Sequence, residues 1–120
     1  MVLITPILVG IVALEHLYIL YLEMFQWTKP KGLKTFGMTQ QVAEASKSLA
    51  ANQGLYNGFL AAGLIWSLLY SNDLVARELQ LFFLGCIMVA AIFGGMTAKR
   101  SILVVQGLPA FITFLFVWLY

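Results

Sequence analysis

Long apolar stretches separated by short polar breaks run the length of the chain, and this pattern predicts four helices. Apolar residues dominate positions 2–27, 53–70, 79–96 and 102–120. Each run is close to the roughly 20 residues that cross about 30 Å of hydrocarbon at 1.5 Å per residue. The links 71–78 and 97–101 are short, so consecutive helices are expected to run antiparallel as neighbours. The expected fold is all-α: an integral membrane bundle of four antiparallel transmembrane helices forming one domain over 1–120.

The first link differs from the others. It opens with turn-formers and three lysines, Lys29, Lys31 and Lys34, and the pattern turns helical again at 40–52, with Thr39 as candidate N-cap. Val42, Leu49 and Tyr56 recur every seven residues, which suggests an interfacial or core-facing stripe on an amphipathic extension before the second span. A continuous helix over 40–70 would be about 45 Å long and would project beyond the membrane. The spacing alone leaves open whether 40–52 lies on the membrane or extends that helix.

Composition agrees with membrane residence. The 120 residues are 62% hydrophobic and 10% charged, with a mean hydropathy of +0.92, which is more apolar than soluble domains of this size. A formal charge of +2, with no basic stretch interleaved with aromatics, gives no reason to expect nucleic acid as a partner. Cys86 is the single cysteine and sits in an apolar run, so it is read as a packing residue with no disulfide partner. No Lys or Arg precedes the first apolar run, which is therefore expected to be a retained helix rather than a signal peptide.

Charge also predicts orientation. Lys29, Lys31, Lys34, Lys47, Lys99 and Arg100 fall in the first and third links, which share a side after four crossings; the other side holds only Arg77. The positive-inside rule places both lysine-bearing links in the cytoplasm and both termini outside. Trp27 marks the inner boundary, and Tyr70, Trp118 and Tyr120 the outer one.

Candidate chemistry lies in the polar residues inside the spans. An ionisable group there costs at least about 2.5 kcal/mol, so it is expected to face protein or water and to serve a purpose. The first helix carries Glu15 and His16 near its centre and Glu23 a turn from the inner boundary. His16 and Glu23 are seven apart, about 20° around the helix axis. Tyr18 and Tyr21 add hydroxyls on neighbouring turns. Gln53 and Asn57 on the second helix and Gln106 on the fourth offer matching groups at similar depth. These residues predict a polar pocket in the cytoplasmic half. Gly54, Gly58 and Ala62 form a small-residue row, as do Ala90 with Gly94 and Ala91 with Gly95; plain helix packing explains them. Pro109 is expected to kink the fourth helix. One histidine and no cysteine cluster make a metal site weak, and neither a metal nor a cofactor is expected.

The runs VALEHLYILYLEMF over 12–25 and AANQGLYNGFLAAG over 50–63 resemble the bacterial domain-of-unknown-function 1304 family, small predicted four-helix membrane proteins. That resemblance covers nearly the whole chain and implies multi-pass residence in a bacterial inner membrane. It also implies that Glu15, His16, Glu23, Asn52, Gln53, Asn57 and Gly58 are signature positions. It carries no reaction with it.

Three functions fit these residues. A buried carboxylate beside a histidine suits passage or binding of a proton, small solute or ligand, and a chain this small would need a homodimer or larger assembly to enclose a pore. Glu15 or Glu23 with His16 could instead act as acid and base of an intramembrane enzyme on a lipophilic substrate. Or the polar residues specify helix pairing in a structural membrane subunit. Besides the lipid bilayer, a small molecule or lipophilic ligand is the expected partner.

Overall fold

The computed structural model describes residues 3–120, so Val2, where the first span was expected to begin, lies outside them. The described residues are helical throughout and contain no strand. They form α1 (Ile4–Phe25), α2 (Pro30–Phe36), α3 (Gln40–Leu69), α4 (Asp73–Thr97) and α5 (Arg100–Leu119). Of these, α1, α4 and α5 are long and apolar enough to cross a membrane, which suggests a membrane protein. The expected second span is not apolar enough by the same measure. Asn52, Gln53 and Asn57 lower its apolarity, although α3 has ample length at 30 residues.

Two compact units divide the chain: Leu14–Ala61 is one, and the residues through Ala13 together with Ala62–Tyr120 are the other. In the second of these, α4 and α5 form an antiparallel hairpin. Gly94 lies against Ile102, Ala91 against Gly107 and Arg77 against Val117, so numbers fall on one helix as they rise on the other. At the far end Arg77 donates from Nε to the Val117 carbonyl (3.3 Å) and from Nη2 to the Trp118 carbonyl (3.0 Å). These are among the last carbonyls of α5, which have no partner within the helix. A guanidinium suits that end of the helix dipole, and it also lies over the Trp118 ring at 5.4 Å. Asn72 caps α4, its Oδ1 accepting from the N–H groups of Leu74 (3.0 Å) and Val75 (3.2 Å). The helix therefore begins at Asp73 and not at the expected 79, which shortens the preceding link to 70–72.

Pro109 acts through a wider turn. Residues Leu103–Gly107 form a π-helical segment inside α5. Proline has no N–H, and its ring crowds the carbonyl four residues earlier; an extra residue in the preceding turn relieves both problems locally. Thr113 Oγ1 donates to the Pro109 carbonyl at 2.8 Å.

In the unit Leu14–Ala61, α1 and α3 run antiparallel and very close. A Cβ added at Gly54 would lie 2.7 Å from Met24 Cγ and 3.1 Å from Glu23 Cβ, and one at Gly58 would lie 2.7 Å from Leu20 Cδ1. These glycines pack the helices, as their spacing suggested. Thr39 caps α3, its Oγ1 accepting from the Val42 N–H at 3.2 Å. Residues 40–52 continue directly into the rest of α3, which settles how that segment is built. Its predicted stripe does not face a core: Val42, Leu49 and Tyr56 are 54%, 73% and 57% exposed. The buried positions along this stretch are instead Ala43, Ala50, Gly54 and Ala61. Small residues occupy the inside because that is where a neighbouring backbone approaches.

The lysine-bearing link folds into α2, a short helix that its turn-formers had not announced. Pro30 occupies its first turn, where a missing N–H costs nothing. Gly37 ends it in the left-handed conformation (φ 62°, ψ 45°). Gly32 faces the backbone of 26–27 so closely that a side chain there would collide with the Gln26 carbonyl. Trp27 stacks on Phe36 with ring centroids 4.8 Å apart, and its Nε1 donates to Ser46 Oγ at 3.0 Å. Gln40 Nε2 donates to the Thr28 carbonyl at 3.0 Å, so the turn before α2 is tied to α3 at two points.

Candidate functional site

The expected polar residues are only partly brought together. Glu23 on α1 and Asn57 on α3 meet: Asn57 Nδ2 donates to Glu23 Oε1 at 2.7 Å, and also approaches the Gln53 carbonyl at 3.3 Å. Close packing at Gly54, one turn before Asn57 on α3, lets the short asparagine reach α1. The distance lies in the range of charge-assisted hydrogen bonds. The side chains of Gln53 and Asn52 are exposed and make no hydrogen bond among the described residues. Gln106 belongs to the other unit, half-buried in the π segment of α5.

Glu15 and His16 form a separate pair. His16 is fully buried, and its Nδ1 lies 3.9 Å from Glu15 Oε1, too long for a hydrogen bond but close enough for an ion pair if the imidazole is protonated. Glu15 Oε1 is itself buried and accepts no hydrogen bond among the described residues. Tyr18 and Tyr21 are exposed on the same helix, and the Lys31 ammonium lies over their rings at 5.3 Å and 5.9 Å.

Glu23 has a further setting. It lines an open cleft of about 250 Å³ together with Met24, Trp27, Thr28, Lys47 and Ser48. The walls therefore carry a carboxylate, an ammonium, two hydroxyls and an indole. Lys47 also lies 3.6 Å from Glu44 Oε1, on the exposed side of α3. The volume falls below the roughly 300–1,000 Å³ typical of drug-sized ligand sites, so the cleft suits a small polar or charged solute. A groove of about 300 Å³ over α4 and α5, lined by residues such as Met88, Ile92, Leu103 and Phe111, has only apolar side chains and nothing to orient a polar ligand.

Sequence reasoning had placed Lys47 only as an orientation signal and had passed over Thr28 and Ser48. No periodicity links Thr28 to α3; the Gln40 and Trp27 hydrogen bonds that fold the link back onto that helix create the cleft. Among the described residues no group of three or more His, Cys, Asp or Glu side chains could hold a metal ion.

Fold and site together define a small all-α protein with three membrane-length apolar helices and a polar cleft where α1 and α3 pack. The chain belongs to the family described as Protein of unknown function (DUF1304), whose model matches residues 10–118. It is 35% identical over 109 residues to Uncharacterized protein YpaA of Lactococcus lactis subsp. lactis (strain IL1403), covering 89% of this chain and 90% of that protein. No solved structure matches it.

Proposed function

We propose that the protein crosses a bacterial inner membrane four times and binds, and passes, a small polar solute at the cleft between α1 and α3. The lysine-bearing links then face the cytoplasm and both termini lie outside. Three helices already have the length and apolarity for crossing. For α3, about 45 Å of helix is more than sufficient, and the Asn57 amide, its most deeply placed polar side chain, is satisfied by Glu23. A polar group paired within the protein does not bar a helix from lipid.

The observation that carries the solute reading is the position of Glu23: one carboxylate oxygen is held by Asn57 while the side chain lines a cleft shared with Lys47, Ser48 and Thr28. Asn57 fixes the carboxylate, and the cleft leaves room for a ligand beside it. Glu15 and His16, about two turns from Glu23 along α1, would relay or balance charge during passage.

Liposomes test this reading. Reconstituted protein is expected to conduct protons or at least one member of a panel of small ions, amines and amino acids. Glu23→Gln, which keeps the oxygen that accepts from Asn57, should lower that flux at least about tenfold, since one charge in a low-dielectric site is worth more than 1.4 kcal/mol. Glu15→Gln should lower it too. Silence of the wild type across the panel, or equal flux in Glu23→Gln, would favour a purely structural pairing role for these residues.

A further inference from the structure

A second polar cluster involves α2 and the Tyr18 and Tyr21 rings of α1. No Asp or Glu occurs between Glu23 and Glu44, while Lys29, Lys31 and Lys34 all fall in that interval. Among the described residues none of the three makes an ion pair with a carboxylate, whereas Lys47 is matched by Glu44. The segment thus concentrates positive charge that the protein itself leaves unbalanced.

Lys31 is the unusual member. A lysine beside a membrane normally extends its ammonium away toward water. Here the ammonium bends back over two rings of α1, 5.3 Å from the Tyr18 centroid and 5.9 Å from that of Tyr21. Those tyrosines sit one to two turns inside the end of α1 at Phe25, about 6–10 Å along the axis. If α1 spans the bilayer with Phe25 at its inner surface, this depth matches the boundary between headgroups and acyl chains. The placement is built in: the Gly32 backbone abuts the Gln26 carbonyl, and Phe36 stacks on Trp27. Ring faces attract the cation but leave its hydrogen-bond donors free for an acceptor.

The same face of α1 continues as an apolar stripe. Leu14, Tyr18, Tyr21 and Phe25 recur at intervals of four, three and four residues, and all are exposed. A cation at the top of such a stripe matches one chemical shape, an anionic head on an apolar tail. We propose that Lys31, with Tyr18 and Tyr21, binds the phosphodiester of an anionic phospholipid whose acyl chain lies along this stripe. Lys29 and Lys34 add attraction without direct contact. The site rests on α1 crossing the membrane, but it is distinct from the Glu23 cleft and needs no solute there.

The test is native mass spectrometry of purified protein equilibrated with equal phosphatidylglycerol and phosphatidylcholine. Wild type is expected to retain phosphatidylglycerol preferentially, by about tenfold or more. Lys31→Gln should cut that retention at least about fivefold, the value of one lysine at an anionic surface. Lys31→Arg should keep it, and Lys47→Gln should leave it unchanged. Equal retention of the two lipids, or wild-type retention by Lys31→Gln, would overturn the proposal. Should Lys31→Gln fail to fold, washing the wild type in about 1 M salt, where screening acts within about 3 Å, supplies the second measurement. Salt should release phosphatidylglycerol, and its persistence would count against an ionic headgroup site. Displacement by inorganic phosphate at constant ionic strength would show a free-anion site instead. Recovery of the chain in the aqueous fraction without detergent would remove the membrane reading itself, whereas lost lipid selectivity in membrane-extracted protein would remove this proposal alone.

Discussion

Gly32→Ala is expected to destabilise the unit formed by Leu14–Ala61 by about 3 kcal/mol, the upper end of the cost of forcing one extra carbon into a packed site. The reason is the identity of the obstacle. A Cβ at position 32 would collide with the Gln26 carbonyl oxygen and lie 2.7 Å from the carbonyl carbon and 2.9 Å from Trp27 Cα. Backbone atoms cannot rotate away as a side-chain tip can, so α2 itself must move. That motion would disturb the Lys29 N–H bond to the Gln26 carbonyl (3.1 Å) and the Trp27–Phe36 stack (4.8 Å). Thermal unfolding in detergent should begin about 10 °C lower, and trypsin should cut faster after Lys31 and Lys34. Gly85→Ala is the control. Nothing lies within 4 Å of a Cβ there, and alanine favours helix over glycine by about 1 kcal/mol, so it should be neutral or stabilising. Equal behaviour of the two variants would contradict the close approach at Gly32.

The second large effect concerns the Glu23–Asn57 pair. Asn57→Leu removes the amide that donates to Glu23 Oε1 at 2.7 Å and should cost about 1.5–3 kcal/mol, the range for hydrogen bonds to charged groups. Two effects compete, because interhelical hydrogen bonds within lipid average only about 0.6 kcal/mol. The larger figure should win: leucine strands a carboxylate that is only partly exposed, and among the described residues no other side chain hydrogen-bonds Glu23. The double variant Glu23→Leu with Asn57→Leu should be more stable than Asn57→Leu alone, since removing both partners avoids the stranded group. Equilibrium unfolding of the three variants in mixed micelles checks this ordering. A double variant no better than the single would mean the carboxylate is already well solvated from the cleft.

The sequence carries the long helices plainly, because apolar runs of membrane length leave little else to form. It also carries the Thr39 cap, the packing role of Gly54 and Gly58, and the similar depth of Glu23 and Asn57, though not their hydrogen bond. Other features escaped for physical reasons. The short α2 was hidden by its lysines, although Pro30 at its start and Gly37 past its end are the usual helix punctuation. The start of α4 was hidden by Asp73, Arg77 and Glu78, whose charges look like a loop while Asn72 caps a helix that carries them. Of the two readings of the Val42, Leu49 and Tyr56 stripe, the core-facing one fails because size, not apolarity, marks the inside of closely packed helices. Thr28 and Lys47 reach the cleft through tertiary hydrogen bonds that no spacing announces.

The central claim is that the Glu23 cleft takes a solute within a membrane-embedded protein. Native mass spectrometry of protein purified in mild detergent, comparing wild type with Glu23→Gln, tests it most directly. A small polar molecule should be bound to the wild type and lost from Glu23→Gln, with both proteins equally folded and in the same oligomeric state. An empty wild type that stays empty when small charged solutes are added, beside a Glu23→Gln protein that is merely less stable, would contradict it and leave Glu23 and Asn57 as a helix-pairing contact.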